Sequence, residues 1–287
     1  NHASEVAHVN GLAVGAGVAE QSIARTVGRS VSDRPSAPPS IEPVTAIAHD
    51  IAAESSYPAP TGTHRFALRV LPAPRRAGMP LVPELHGAAL ILGSNVLAET
   101  LSERVRELGQ QAFIVNTDGP IDQIEKTLER IWQTTPTPHL FLTMAFDASS
   151  TKSLSEDAWL DRRPAALEAP FRICQLWMTR TIDANRMEDA SVIAVTQLGG
   201  DFGFSGRHVT SIEAIGGLVK AMLIEAWMRG FRTTPMKVID VASTMTVPEV
   251  TSGVLQELAV PSYDMEIAFR PSMKADEPER MSVQAMA

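Results

Sequence analysis

From residue 64 onward the apolar positions follow two alternating rhythms. The run Arg65-Phe66-Ala67-Leu68-Arg69-Val70-Leu71 alternates polar and apolar and stops at Pro72 and Pro74, which predicts a strand at the start of a domain. A proline-rich hop through Pro80 and Pro83 leads to Ala88-Ala89-Leu90-Ile91-Leu92-Gly93, a continuous apolar run of the kind buried on both faces in a parallel sheet. Leu97, Leu101, Val105 and Leu108 then recur at helical spacing and end at Gly109, and Ala112-Phe113-Ile114-Val115 reads as a second buried strand.

The alternation continues with helices expected near Ile121–Trp132, Ala165–Ile182, Thr210–Gly230 and Pro248–Leu258. Strands are expected at Leu140–Met144, Ser191–Thr196, Met236–Val241 and, closing the series, Met265–Phe269. Strands separated by helices of ten or more residues imply right-handed crossovers and a doubly wound, mainly parallel sheet with helices on both faces. The fold class is therefore α/β, Rossmann-like, over residues 64–272. Residues 1–63 are different. Their Pro/Ala/Ser-rich stretch from Pro35 to Pro60 favours extended, solvated chain, and they are expected to be a largely disordered linker; residues 273–287 are expected to be a tail.

Composition narrows the function classes. The chain has 287 residues, 44% hydrophobic and 5% aromatic, with a formal charge of −8, so it offers no basic surface for a polyphosphate backbone and few rings for stacking bases. Nucleic acid is not an expected partner, and no stretch is long and apolar enough to suggest a membrane span. The lone Cys174 has no internal disulfide partner, which fits a reducing cytoplasm, and it sits between apolar neighbours as a buried, inert thiol. No Cys/His grouping has zinc spacing, so no metal is expected. The chain begins with Asn1 rather than Met, as a piece of a longer polypeptide would.

A sheet of this kind binds a dinucleotide through a glycine-rich turn after its first parallel strand. Here that turn reads Gly93-Ser94-Asn95-Val96-Leu97-Ala98, with the first glycine alone, so Ser94 or Asn95 is expected to cap a helix instead. Asp118, in Asn116-Thr117-Asp118-Gly119-Pro120, stands where an acid could hold a ribose, but without the glycines it reads as turn chemistry. Gly15-Ala16-Gly17 begins a G-x-G fingerprint and has Glu20 where the third glycine belongs.

Several blocks in order carry a family resemblance. Arg65–Val70, Leu140-Phe141-Leu142-Thr143-Met144-Ala145-Phe146-Asp147, Ser191–Thr196 followed by Gly199-Gly200-Asp201-Phe202-Gly203, and Ile215-Gly216-Gly217-Leu218-Val219-Lys220-Ala221 with Glu225 together resemble the N-terminal structural subdomain of ketoreductases in polyketide and polyunsaturated-fatty-acid synthases, within the short-chain-dehydrogenase superfamily. The resemblance spans roughly residues 64–272. It implies a truncated unit that has lost its cofactor site and braces a following catalytic subdomain. That subdomain, absent from this chain, would bind NADPH and reduce a β-ketoacyl group carried on acyl carrier protein.

Reductive chemistry of that superfamily needs a Tyr whose pKa is lowered by a Lys four residues later. The chain has two tyrosines; Thr61 follows Tyr57 at that spacing and Ile267 follows Tyr263. Aligning Gly217-Leu218 with the family's helix places His208 and Ile212 at the Tyr and Lys positions and Thr196 near the usual Ser; His208 reads as a surface residue before a helix. Gly203-Phe204-Ser205-Gly206 lacks the spacing of a nucleophile elbow. Lys220 and Glu225 read as the solvated face of a helix whose apolar stripe is Ile215, Leu218, Met222 and Trp227 or nearby positions, and Arg75-Arg76 and Arg162-Arg163 as solvated charges able to touch an acidic carrier. No catalytic, cofactor or metal residue is assigned, and the chain alone is expected to be inactive. The rivals are a free-standing reductase using His208 and a module used only for docking.

Overall fold

The computed structural model describes residues 67–75, 82–146, 155–205, 215–259, 264–272 and 278–286. The chain divides into two units, Asn1–Thr63 and His64–Ala287, and every described residue belongs to the second. Its strands are β1 (Ala67–Pro72), β2 (Ala89–Leu92), β3 (Ala112–Val115), β4 (His139–Ala145), β5 (Ser191–Thr196), β6 (Met236–Val241), β7 (Glu266–Arg270) and β8 (Glu279–Met286). The helices are α1 (Val96–Glu107), α2 (Ile121–Thr134), α3 (Glu156–Arg163), α4 (Ala169–Asp183), α5 (Ile215–Met228) and α6 (Val247–Ala259).

All eight strands form one sheet in the order β1-β8-β7-β6-β5-β4-β2-β3. Strands β2 to β7 run parallel, while β8 is antiparallel to both β7 and β1. Counting only the parallel strands along the chain, their spatial order is 2-1-3-4-5-6, which confirms the doubly wound architecture and puts the reversal of winding between β2 and β4.

Alternation along each strand splits the core into two layers. Leu90, Leu92, Leu140, Leu142, Val192 and Ala194 face α2, α4 and α5, where Trp177 is 2% exposed. Ala89, Ile91, Phe141, Ile193, Ile239 and Phe269 face α1 and α6 on the other side. Each fully buried aliphatic chain stabilises by about 1.5–3 kcal/mol relative to exposure, so the continuous apolar runs of β2, β4 and β5 form the energetic centre of the domain. The Trp177 indole also donates from Nε1 to the Thr137 carbonyl at 2.7 Å, which satisfies its polar edge inside the core.

Four expectations are corrected. The sheet does not close at Phe269: Glu279–Met286 forms β8, between β7 and β1, so the sheet extends past residue 272 into the expected tail. Polar Arg280 and Ser282 are buried in it, which hid the strand's apolar rhythm. The helix expected at Ala165–Ile182 starts earlier, at Glu156, and passes through a π-helical turn at Pro164–Glu168 before α4. Two prolines, Pro164 and Pro170, lack the N–H that a regular helix would use, and the wider turn accommodates the first. On α5 the buried stripe is Ile215, Val219, Met222, Leu223 and Ala226, whereas Trp227 is 46% exposed. Lys220 and Glu225 there are half-exposed and paired with Glu266 and Arg229.

The fourth correction concerns Arg75, whose side chain is buried rather than solvated. It joins a buried ionic cluster around Glu257 of α6. That carboxylate accepts from Lys237 Nζ of β6 at 3.0 Å, from Arg280 Nε of β8 at 2.7 Å and from Arg75 Nη2 at 3.2 Å. Arg280 also donates to the Ala73 carbonyl at 2.8 Å and pairs with Asp264 at 2.8 Å. The cluster thereby ties the segment after β1 and the start of β8 to the middle of the sheet. Burial alone would raise the Glu257 pKa, but Arg280 and Lys237 outweigh it and hold the carboxyl below its ordinary value.

Among the described residues no helix is long and apolar enough to cross a membrane.

Candidate functional site

In doubly wound sheets the ligand crevice opens at the carboxyl ends of the strands where the winding reverses, here between β2 and β4. Its floor is built from Gly93, Ser94, Asn95, Thr143 and Phe146. Asn95 is the N-cap of α1, its Oδ1 accepting from the Ala98 N–H at 3.0 Å, as the capping expectation required. The rest of that side chain is spent across the crevice: Nδ2 donates to the Thr143 carbonyl at 2.7 Å and to the Phe146 carbonyl at 3.2 Å. Thr143 answers by donating from Oγ1 to the Leu92 carbonyl at 2.9 Å. The two strand ends are thus stitched together by side chains at the point where the winding reverses.

Gly93 takes its meaning from this stitching. Its φ is +132°, and a Cβ there would lie 2.5 Å from Thr143 Oγ1 and 3.2 Å from the Met144 nitrogen. The glycine is required by the close approach of β4, so it provides no sign of a phosphate cradle. Val96, the first residue of α1, stands exposed beside it with its branched Cβ. The residues at this turn do not fit a dinucleotide. Asp118 lies on the exposed turn after β3, where its N–H donates to Asn116 Oδ1 at 2.9 Å, an Asx turn of the kind its neighbours predict.

The end of β5 is the second place where a reductase would carry chemistry. Thr196 is 1% exposed, and its hydroxyl donates to Asp240 Oδ1 at 2.8 Å. Asp240, on β6 and fully buried, accepts three further bonds from the loop after β5: from the N–H of Leu198 at 2.6 Å, of Asp201 at 2.9 Å and of Phe202 at 2.9 Å. Phe202 is held at φ +56°, a conformation unusual for a bulky residue, and this anchoring maintains it. Burial pushes the Asp240 carboxyl above its ordinary pKa, with the four donors opposing. The hydroxyl at the end of β5 is therefore a structural donor, committed to a buried carboxylate.

Sequence reasoning passed over Asp240, Thr143 and Glu257. A signal for the first was present: Lys237 and Asp240 are two charged residues inside a six-residue strand that is buried throughout, and each needs a dedicated partner. Cys174 is buried as expected, and burial pushes its thiol up to about 12. His208, Ile212, Tyr57, Thr61 and Tyr263 lie outside the described residues, as do Gly15, Gly17, Glu20 and Arg76. Ile267 is buried in β7, Arg163 pairs with Glu168 at 2.9 Å, and Arg162 is partly exposed on α3. Among the described residues no group of three or more His, Cys, Asp or Glu side chains is placed to hold a metal ion.

No family model matches the chain, and no curated protein matches it. Solved structures do. A multidomain structure with adenylation, ketoreductase and pseudo-Asub units from a keto acid-selecting NRPS module is 12% identical with a TM-score of 0.54; the match covers 77% of this chain and 18% of that one. A C2-type ketoreductase from a modular polyketide synthase is 13% identical with a TM-score of 0.48, covering 76% of this chain and 42% of that one. A metagenomic short-chain oxidoreductase solved with NADP is 16% identical with a TM-score of 0.48, covering 66% and 99%. At this identity the first likeness speaks for the doubly wound fold alone, and the chain spans less than a fifth of that protein's length.

Proposed function

We propose that this chain is a non-catalytic Rossmann-like module that braces an adjoining NADPH-dependent ketoreductase unit of a cytoplasmic multienzyme, which reduces β-ketoacyl groups delivered on acyl carrier protein. The observation that carries the reading is the stitched crevice: Asn95 and Thr143 fill the point where the winding reverses, and Thr196 is bound to Asp240. A sheet that keeps its doubly wound order while spending these residues on its own backbone and a buried carboxylate is consistent with a role in support. It also weighs against the free-standing reductase, which would need the Thr196 hydroxyl for substrate.

A bracing module needs a surface for its partner, and α3 supplies one. This eight-residue helix has no buried side chain and turns Trp159 and Leu160 outward, 37% and 43% exposed, with Phe171 at the start of α4 54% exposed. Arg163 lies 5.9 Å from the Trp159 ring centroid, which pre-orders the indole for contact.

The test is co-expression with the adjoining reductase unit. Together the two pieces should melt at a higher temperature than either alone, and Trp159→Asp should abolish the gain while leaving this chain folded. The chain alone, given NADPH and a β-ketoacyl thioester, should turn over nothing; NADPH-dependent turnover by the isolated chain would overturn the reading.

A further inference from the structure

Strand β3 is an edge of the sheet, paired with β2 alone. The ladder fixes which of its backbone groups are spent. The Ala89 N–H donates to the Gln111 carbonyl at 2.8 Å and the Gly93 N–H to the Val115 carbonyl at 3.1 Å, so Gln111, Phe113 and Val115 turn their backbone groups towards β2. Ala112 and Ile114 turn theirs away from the sheet. The Ala112 carbonyl accepts from Arg106 Nη2 at 3.1 Å, whereas nothing among the described residues pairs with the outward N–H and carbonyl of Ile114.

Natural edges are blunted by charged side chains, prolines or bulges, because a bare row of donors and acceptors invites another strand. The segment Ala112-Phe113-Ile114-Val115 carries no charge and no proline, and it pairs with β2 residue for residue without a bulge. Ile114 is 39% exposed on it. An open groove of about 460 Å³, bounded by Ile114, Asn116, Gln123 and Thr127, leaves room beside the strand's end.

We infer that this edge pairs with β3 of a second copy of the chain, antiparallel about a two-fold axis, joining the two sheets into one. Such an isologous contact requires an edge that complements itself. An axis perpendicular to the sheet keeps each face on its own side, so Ile114 must meet Ile114 or Phe113 must meet Phe113. Centred on Ile114, the two Ile114 residues exchange a pair of hydrogen bonds, and at both ends Ala112 exchanges another pair with Asn116 of the second copy. Centred on Phe113, Ala112 meets Ile114, and the next pair needs Gln110, whose N–H is already given to the Val105 carbonyl at 3.2 Å. The first register makes more bonds.

Side chains and charges agree with that register. The two Ile114 side chains form a β-branched cross-strand pair on the α1 side, and Phe113 comes opposite Val115 on the other. The Arg106 guanidinium, held at the Ala112 carbonyl, comes beside the exposed turn of Asn116 and Asp118 of the second copy, once for each copy. Asp118 itself stands opposite Gln110, so no like charges are opposed. The strand is four residues long, and its pairing covers less than the roughly 800 Å² per partner of a standard interface, which makes the dimer a weak one in the micromolar range. It goes beyond the bracing role and does not depend on it, since α3 and Phe171 serve that role.

Sedimentation of the whole chain from about 1 to 500 μM tests the inference, because this range brackets the affinity of a small interface. The average mass should rise from monomer towards dimer, and amide exchange at Ile114 should slow with concentration. Ile114→Lys, which puts a charge on the edge, should give monomer at every concentration while leaving circular dichroism unchanged. Ile114→Pro removes an N–H that β2 does not use, so the chain should fold and lose dimerisation, which a mere apolar contact would not. Leu68→Lys, on β1 at the opposite edge and 57% exposed in wild type, should dimerise normally. A wild-type chain that stays monomeric throughout, a folded Ile114→Lys or Ile114→Pro chain that dimerises like wild type, or loss of the dimer in Leu68→Lys would overturn it.

Discussion

Glu257 holds three largely buried cations, so its replacement is the most informative perturbation of the fold. Its side chain is 0% exposed, and those of Lys237, Arg280 and Arg75 are 2%, 8% and 7% exposed. Glu257→Gln keeps the shape and one acceptor, removes the charge, and turns an amide group towards donors. Breaking a buried pair from one side costs about 3–5 kcal/mol, because the remaining charge stays desolvated. For a domain of this size 1 kcal/mol corresponds to about 2–4 °C, so the melting temperature should fall by roughly 6–20 °C.

Urea denaturation followed by far-UV circular dichroism measures the loss directly, with an unchanged slope showing that the unfolded reference is the same. Adding Lys237→Met should recover part of it, giving a coupling of about 1–3 kcal/mol between the two positions. Amide exchange should accelerate first in β8 and β1, which Arg280 and Arg75 tether. The pH dependence follows from the depressed Glu257 pKa: its contribution is complete above the ordinary carboxylate value and is lost as pH falls through the lower folded value. The variant should therefore lack part of the acid limb seen in wild type. A melting shift below about 2 °C, with no coupling to Lys237, would refute the reasoning.

Three further outcomes are expected. Asn95→Ala removes the α1 cap and two carbonyl partners across the crevice, and should cost about 1–3 kcal/mol in urea denaturation while leaving the secondary structure intact. His139, whose pKa burial lowers to about 4, binds a proton more readily in the unfolded chain. Its share of stability is complete above pH 6.5 and falls by about 3 kcal/mol as pH drops towards 4, and the imidazole should remain neutral by NMR down to about pH 5. Cys174, with its thiol pushed up to about 12, should react with a disulfide reagent only after unfolding, and rapid labelling of the native chain would contradict its burial.

The parts of the fold legible in the sequence are those where burial is apolar on both faces. β2 and the middle of β5 emerge from unbroken apolar runs, and Asn95 as a cap from the residue type before a helical rhythm. What the sequence hid has one physical cause, which is polar groups buried because a distant residue satisfies them. Arg280 and Ser282 mask β8, and Arg75 looked solvated because Glu257 lies 182 positions away. At the crevice the missing glycines were readable. The reason for the remaining one was not, since it depends on Thr143 approaching from another strand. The outward face of α5 was misplaced for a related reason: a helix apolar on two sides gives no rhythm that tells inside from outside.

The central claim is that the nucleotide crevice is closed by the protein's own side chains, and titration of the whole chain with NADPH tests it most directly. Calorimetry and nicotinamide fluorescence should show no saturable signal up to millimolar NADPH, and the melting temperature should not move. Saturable binding competed by NADP+, with a matching rise in melting temperature, would contradict the account.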